Sequence, residues 1–260
     1  MPRPRAIVLR APGTNCDEET AEAWEMAGAD AEILHIGRLL EAPSALDAFQ
    51  ILTIPGGFSY GDDLGAGRIF ATRLGTVLLD ALERFHERGG LVLGICNGFQ
   101  VLVRAGLLPG RLGTRGEVAQ ATLTSNDSGH YESRWVRLLP TSRLSPFVKD
   151  QELFELPVGH GEGKFFVNDP ATLTALEASG QVVLRYADAS GKPTGAYPAN
   201  PNGSLGAIAG VCDPTGRIFG LMPHPDRHFN PLLHPRWTRR GLAEQGDGLR
   251  IFSNAVAALA

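Results

Sequence analysis

The sequence predicts an α/β protein built on a doubly wound, mostly parallel sheet with antiparallel additions, folded as one domain over residues 1–260. Three observations carry this. Up to about Leu107, short apolar runs alternate with stretches of helical spacing. Each run is continuously apolar rather than alternating, as expected of strands covered on both faces. Beyond Leu107 shorter strands and turns take over, which suits antiparallel strands added to the same sheet. A chain of 260 residues with 43% hydrophobic content can bury one substantial core, and no repeat or long linker divides it.

The elements follow in order. Residues 6–9 are a strand that runs into Pro12-Gly13. Asn15 or Asp17 caps a helix reaching about Ala27, with Glu18, Glu19 and Glu22 near its positive end and Gly28 closing it. Residues 33–36 and 51–54 are the next strands, the second ending at Pro55-Gly56-Gly57. Helical spacing covers residues 74–88 and stops at Gly89-Gly90, after which residues 91–95 form a fourth strand and residues 98–103 a buried helix. Residues 133–139, 181–186 and 206–212 read as the later strands, with a further strand-like run from Ile218, and residues 193–204 as an ordered surface loop.

Composition excludes several classes of function. A net charge of −4 and a pI near 6.0 give no electrostatic case for nucleic acid or an anionic membrane. The three cysteines, Cys16, Cys96 and Cys212, make no CxxC pair, which argues against a disulfide framework and a structural metal site. The apolar run at residues 6–9 is too short for a signal peptide, and no stretch approaches the ~20 apolar residues of a membrane span. A cytoplasmic protein is the expectation.

The chemistry centres on Gly94-Ile95-Cys96-Asn97-Gly98. A nucleophile on a sharp strand-to-helix turn needs small neighbours, and Gly94 and Gly98 supply them. At the positive end of a helix dipole a thiol loses its proton more readily. Taken alone, the turn fits a buried packing cysteine equally well. A cysteine nucleophile also needs a base and a group to orient it. Two segments offer a histidine. His224, in Met222-Pro223-His224-Pro225-Asp226, ends a strand-like run where doubly wound folds place their sites, with Asp226 two residues on. His160, in Gly159-His160-Gly161-Glu162-Gly163, lies in a glycine-rich loop whose backbone can approach a ligand closely. Oxyanion donors are expected from the amides of Ile54-Pro55-Gly56-Gly57-Phe58 and from Asn97.

In their order along the chain, Pro55-Gly56-Gly57-Phe58, Gly94-Ile95-Cys96-Asn97-Gly98-Phe99-Gln100 and Pro223-His224-Pro225 resemble the motifs of class I glutamine amidotransferases. Pro12-Gly13-Thr14-Asn15-Cys16-Asp17, Phe58-Ser59-Tyr60-Gly61-Asp62, His160-Gly161-Glu162-Gly163 and the run from Tyr197 to Ser204 are similar to the glutaminase subunits of phosphoribosylformylglycinamidine synthases in particular. The resemblance implies the flavodoxin-like amidotransferase fold and hydrolysis of glutamine through a thioester on Cys96, with His224 and Asp226 completing the catalytic set. It also implies oxyanion contacts from Gly57, Phe58 and Asn97, and substrate contacts from Gln100, His160 and Glu162. Ammonia would pass to a large ATP-dependent synthetase subunit, often joined by a small bridging subunit. ATP and magnesium then belong to the partner, in keeping with the lack of a GxxxxGK[ST] loop in this chain.

One position departs from the family pattern, which has glutamate where this chain has Asp226. The side chain is shorter by one carbon–carbon bond, ~1.5 Å, so direct contact with His224 is the point to test. Residues 229–248, with Trp237, Arg239 and Arg240, read either as a partner-contacting segment or as a loop packed over the domain. Cys16 and Cys212 read as packing residues.

Overall fold

A computed structural model gives the fold and describes residues 3–110 and 121–260. The first half alternates strand and helix: β1 (Arg5–Arg10), α1 (Asp17–Met26), β2 (Asp30–His35), α2 (Ile36–Glu41), β3 (Ile51–Ile54), α3 (Arg68–Arg73), α4 (Leu79–Glu87), β4 (Leu91–Ile95) and α5 (Asn97–Arg104). The second half is richer in strands: β5 (Thr122–Thr124), β6 (Glu132–Pro140), β7 (Phe154–His160), β8 (Lys164–Phe166), α6 (Pro170–Ala178), β9 (Val182–Ala187), β10 (Ile208–Cys212) and β11 (Ile218–Leu221). Helices α7 (Trp237–Arg240) and α8 (Leu249–Ala258) complete the chain.

Nine strands form the main sheet in the order β2-β1-β3-β4-β11-β10-β9-β6-β7. The members from β2 to β11 are parallel and the remaining pairings antiparallel. Strands β5 and β8 make a separate two-stranded ribbon. The continuously apolar runs are the strands buried on both faces, with every residue of β3, β4 and β11 inside. A single hydrophobic cluster runs from Ala6 to Ala255. Trp24 of α1 shows how it closes, donating to Thr53 Oγ1 (2.8 Å) and meeting Phe252 of α8 edge-on at 4.8 Å. Each large side chain buried in this way contributes about 1.5–3 kcal/mol.

The architecture is the expected one, with local differences that have physical reasons. Ile36 opens α2 rather than ending β2, because the His35 ring accepts from Gly37 N (3.1 Å) and turns the chain. The helical spacing of residues 74–88 belongs to a longer run beginning at Arg68, with a wide π turn at Leu74–Leu78 before α4. Strand β10 starts at Ile208, since Ala207 sits at φ 58° and breaks the extended chain. Strand β7 was not evident in the sequence. Its buried positions alternate strictly, but Pro157 and Gly159 disguise it, and a proline is tolerated there because β7 is an edge strand.

Since β1, β3, β4 and β11 are parallel, their carboxyl ends share one edge of the sheet. Pro12-Gly13, Pro55-Gly56-Gly57, Cys96 and Met222-Pro223-His224 all leave from that edge. Among the described residues no helix is long and apolar enough to cross a membrane.

Candidate active site

Cys96 sits in the single-residue turn between β4 and α5 at φ 50°, ψ −103°, a conformation that costs a non-glycine residue about 1–3 kcal/mol. The surroundings hold it there. Cys96 N donates to Leu221 O (2.8 Å), and its carbonyl accepts from Gln100 N (3.1 Å). A Cβ on Gly98 would overlap the Ile54 carbonyl, and one on Gly94 would come within 2.8 Å of Gly98 O. Only glycines let α5 lie this close to the sheet and present the thiol at the helix N-terminus. The thiol points toward Gly159 O on β7 (3.6 Å).

His224 leaves β11 through Met222-Pro223, and its backbone N–H donates to Pro157 O of β7 (2.8 Å). Its ring Nδ1 lies 3.2 Å from Asp226 Oδ1 and 3.3 Å from Oδ2, so the shorter carboxylate does reach the imidazole. Both side chains are buried, at 2% and 0% exposure. Burial opposes a charge on His224, but the negative charges of Asp226 and Cys96 outweigh it and raise the imidazole well above its ordinary range. A charged imidazole beside the cysteine is the partner an activated nucleophile requires.

The oxyanion region differs from expectation at one residue. Gly57, at φ 138°, packs so tightly on the loop after β1 that a Cβ would stand 2.8 Å from Asn15 N and 2.9 Å from Gly13 O. The next amide, Phe58 N–H, donates to Gly13 O (2.9 Å) and so does not stand free as an oxyanion donor. Gly57 N–H and Asn97 N–H make no hydrogen bond to a described residue and remain available. The Phe58 ring is half-exposed and stacks on Tyr131 at 6.5 Å.

Two of the residues expected to contact substrate make hydrogen bonds within the protein. Gln100 accepts from Asn97 Nδ2 (3.0 Å) and donates to Glu162 O, which engages both ends of its amide. His160 is buried, with Nδ1 against Asn126 Oδ1 (3.1 Å), while Asn202 Nδ2 donates to Gly163 O (2.8 Å) and Tyr186 OH (3.0 Å) beside it. Burial, with the His224 charge, holds the His160 imidazole down to about 4, so it is neutral. Glu162 pairs with Arg104 of α5 at 3.3 Å. Together these contacts lock the 160–163 turn against α5.

Sequence reasoning missed Asn126, Asn202 and Cys16. Two asparagines, each followed within three residues by a glycine, were a signal for a buried polar network. Cys16, read as packing, accepts from Arg227 Nη2 (3.0 Å), and its sulfur, a His224 nitrogen and an Asp226 oxygen lie within 4.8 Å of one another. These three offer the donor set of a metal site. They do not fit one, because the Arg227 guanidinium already sets a positive charge on the sulfur and Asp226 is bonded to His224.

Known proteins resemble this chain over nearly its whole length. A family model for the CobB/CobQ-like glutamine amidotransferase domain matches residues 3–257. The chain is 49% identical to phosphoribosylformylglycinamidine synthase subunit PurQ of Dehalococcoides mccartyi, over 98% of each chain. It is 41% identical to the subunit of the same name from Methanococcus maripaludis, over 97% of this chain and 96% of that one. Among solved structures it is similar to a chain of PurLQS from Thermotoga maritima, at 30% identity and a TM-score of 0.75, with both chains fully covered.

Proposed function

The chain belongs to the CobB/CobQ-like glutamine amidotransferase family, and on that premise we propose that it is the glutaminase subunit of a phosphoribosylformylglycinamidine synthase. The Cys96 thiolate attacks the side-chain amide carbon of glutamine, and the Gly57 and Asn97 amides take the developing oxyanion, each worth roughly 2.7–4 kcal/mol in the transition state. His224 gives its proton to the departing nitrogen, which leaves as ammonia with a glutamyl thioester on Cys96. The neutral imidazole then takes a proton from water, the resulting hydroxide attacks the thioester, and glutamate leaves as the thiolate returns. Asp226 keeps the proton on Nδ1, so that the other nitrogen works toward the sulfur. Gln100, His160 and Glu162 act by holding the wall of the site.

Ammonia passes to a large synthetase subunit that converts formylglycinamide ribonucleotide to the amidine in purine synthesis, with a small bridging subunit in the assembly. ATP and magnesium act on that partner, and the reading implies a cytoplasmic protein. The names of the full-length relatives and of the PurLQS assembly support this. The observation that carries the reading is the strained Cys96 turn beside the buried His224–Asp226 pair. To test it, the purified chain is mixed with its synthetase and glutamate release from glutamine is measured for wild type and Cys96→Ala. Turnover in the wild type alone is expected, and turnover that survives the substitution would refute the mechanism.

A further inference from the structure

A second thiol lies behind the active-site imidazole. Cys16 ends the loop before α1 and is wholly buried. Its S–H donates to Asn15 Oδ1 (3.2 Å), and its sulfur accepts from Arg227 Nη2 (3.0 Å). A Cβ built on Gly56 would stand 2.5 Å from His224 Cε1 and 3.2 Å from Cys16 Sγ, so the ring, the sulfur and the Gly56 backbone share one tight space. Asp226 grips the ring only by a fork, with its two oxygens at 3.2 and 3.3 Å from the same nitrogen. A fork fixes the tautomer but leaves the tilt of the ring weakly determined.

We infer that Cys16 is a positioning residue for the glutaminase reaction: its sulfur, tethered by Arg227, sets the orientation in which His224 faces Cys96. This rests on the glutaminase reading above. Cys16 acts through the imidazole, by packing against it and by setting sulfur lone pairs beside its charged ring.

The groups that face His224 are Asp226 and Arg227 from its own turn, Cys16 with Glu19 behind it, Cys96 at α5, His160 from β7 and Tyr131 beside β6. Burial pushes the Cys16 thiol up, so it stays protonated near neutrality. Replacing it therefore removes an acceptor without changing the net charge. A ring that loses this neighbour holds its proton less firmly and supports the reactive sulfur less well, so the acid limb of Cys96 alkylation should move up.

The test uses the full chain and follows iodoacetamide alkylation of the Cys96 peptide by mass spectrometry across pH, alongside kcat and KM for glutamine in the assembly. For Cys16→Ala, the acid limb of alkylation is expected to rise by about 0.5–1 pH unit, and kcat to fall by about 10- to 100-fold with KM nearly unchanged. Cys16→Ser, which keeps a hydroxyl acceptor, should recover part of both. If Cys16→Ala does not fold, Cys16→Val fills the space without the acceptor and should show the same rise. A folded variant with a lower melting temperature but an unmoved acid limb and wild-type kcat would overturn the proposal. Alkylation needs no glutamine, so a failure of the glutaminase reading would be seen separately, as wild-type chain inactive with its synthetase.

Discussion

Two buried histidines, almost equally shielded from solvent, are driven to opposite charge states by the halves of the sheet that hold them. His224, at the carboxyl end of β11 in the parallel half, keeps its proton because Asp226, with support from Cys96, offsets the cost of burial. His160, at the end of antiparallel β7, loses its proton because burial and the charge on His224 outweigh the smaller support it has from Glu132. The difference separates two tasks. The parallel half delivers reactive groups from strand ends, at the expense of strained backbone such as Cys96. The antiparallel half delivers a wall, the turn 160–163, held by neutral hydrogen bonds through Asn126 and Asn202.

The largest expected effect comes from the parallel half. Asp226→Asn should lower turnover by about 10⁴-fold with little change in KM, because an amide no longer enforces the working tautomer of His224. Steady-state kinetics in the assembly checks this, and a loss smaller than tenfold would show that Asp226 does not orient the ring.

The neutral state of His160 carries the next effect. The unfolded chain takes up a proton as pH falls below about 6.5, whereas the folded chain does not until about 4. The folded value is depressed, so full stability is present above about 6.5 and is lost as pH falls through that window, by up to about 3 kcal/mol. His224 has the opposite sign, since its contribution is complete below about 6.5 and is lost as pH rises through its raised folded value. His160→Gln should therefore lose less stability on acidification than wild type, as measured by denaturant unfolding at several pH values between about 7 and 4. Equal acid sensitivity would mean that His160 is not held neutral by the fold.

The smallest effect is expected at the rim of the wall. Glu162→Gln weakens a partly exposed pair with Arg104, which is worth about 0–1 kcal/mol. It should alter stability by no more than that and raise KM by a few-fold at most, whereas a direct substrate contact would raise KM far more.

The two halves of the sheet also differ in how far the sequence reveals them. Cys96, His224 and Asp226 each sit in a short local motif at the end of an apolar strand, so position and neighbours reveal them. Gly98 is legible for the same reason, because a turn between strand and helix requires small residues. The Phe58 amide is different. Its engagement by Gly13 O depends on two loops from strands far apart in the chain. Cys16 meets Arg227 across 211 positions, and nothing near it in sequence marks that contact. Gln100 looks like a binding residue until the 160–163 turn is in place to absorb its amide. Local chemistry was visible, and long-range polar contacts were not.

The central claim is that Cys96 is the nucleophile of a glutamine-hydrolysing subunit, and glutamate release by the chain assembled with its synthetase tests it most directly. The account predicts release by wild type and a fall of at least about 10⁴-fold in Cys96→Ala. Release by Cys96→Ala at the wild-type rate would contradict it.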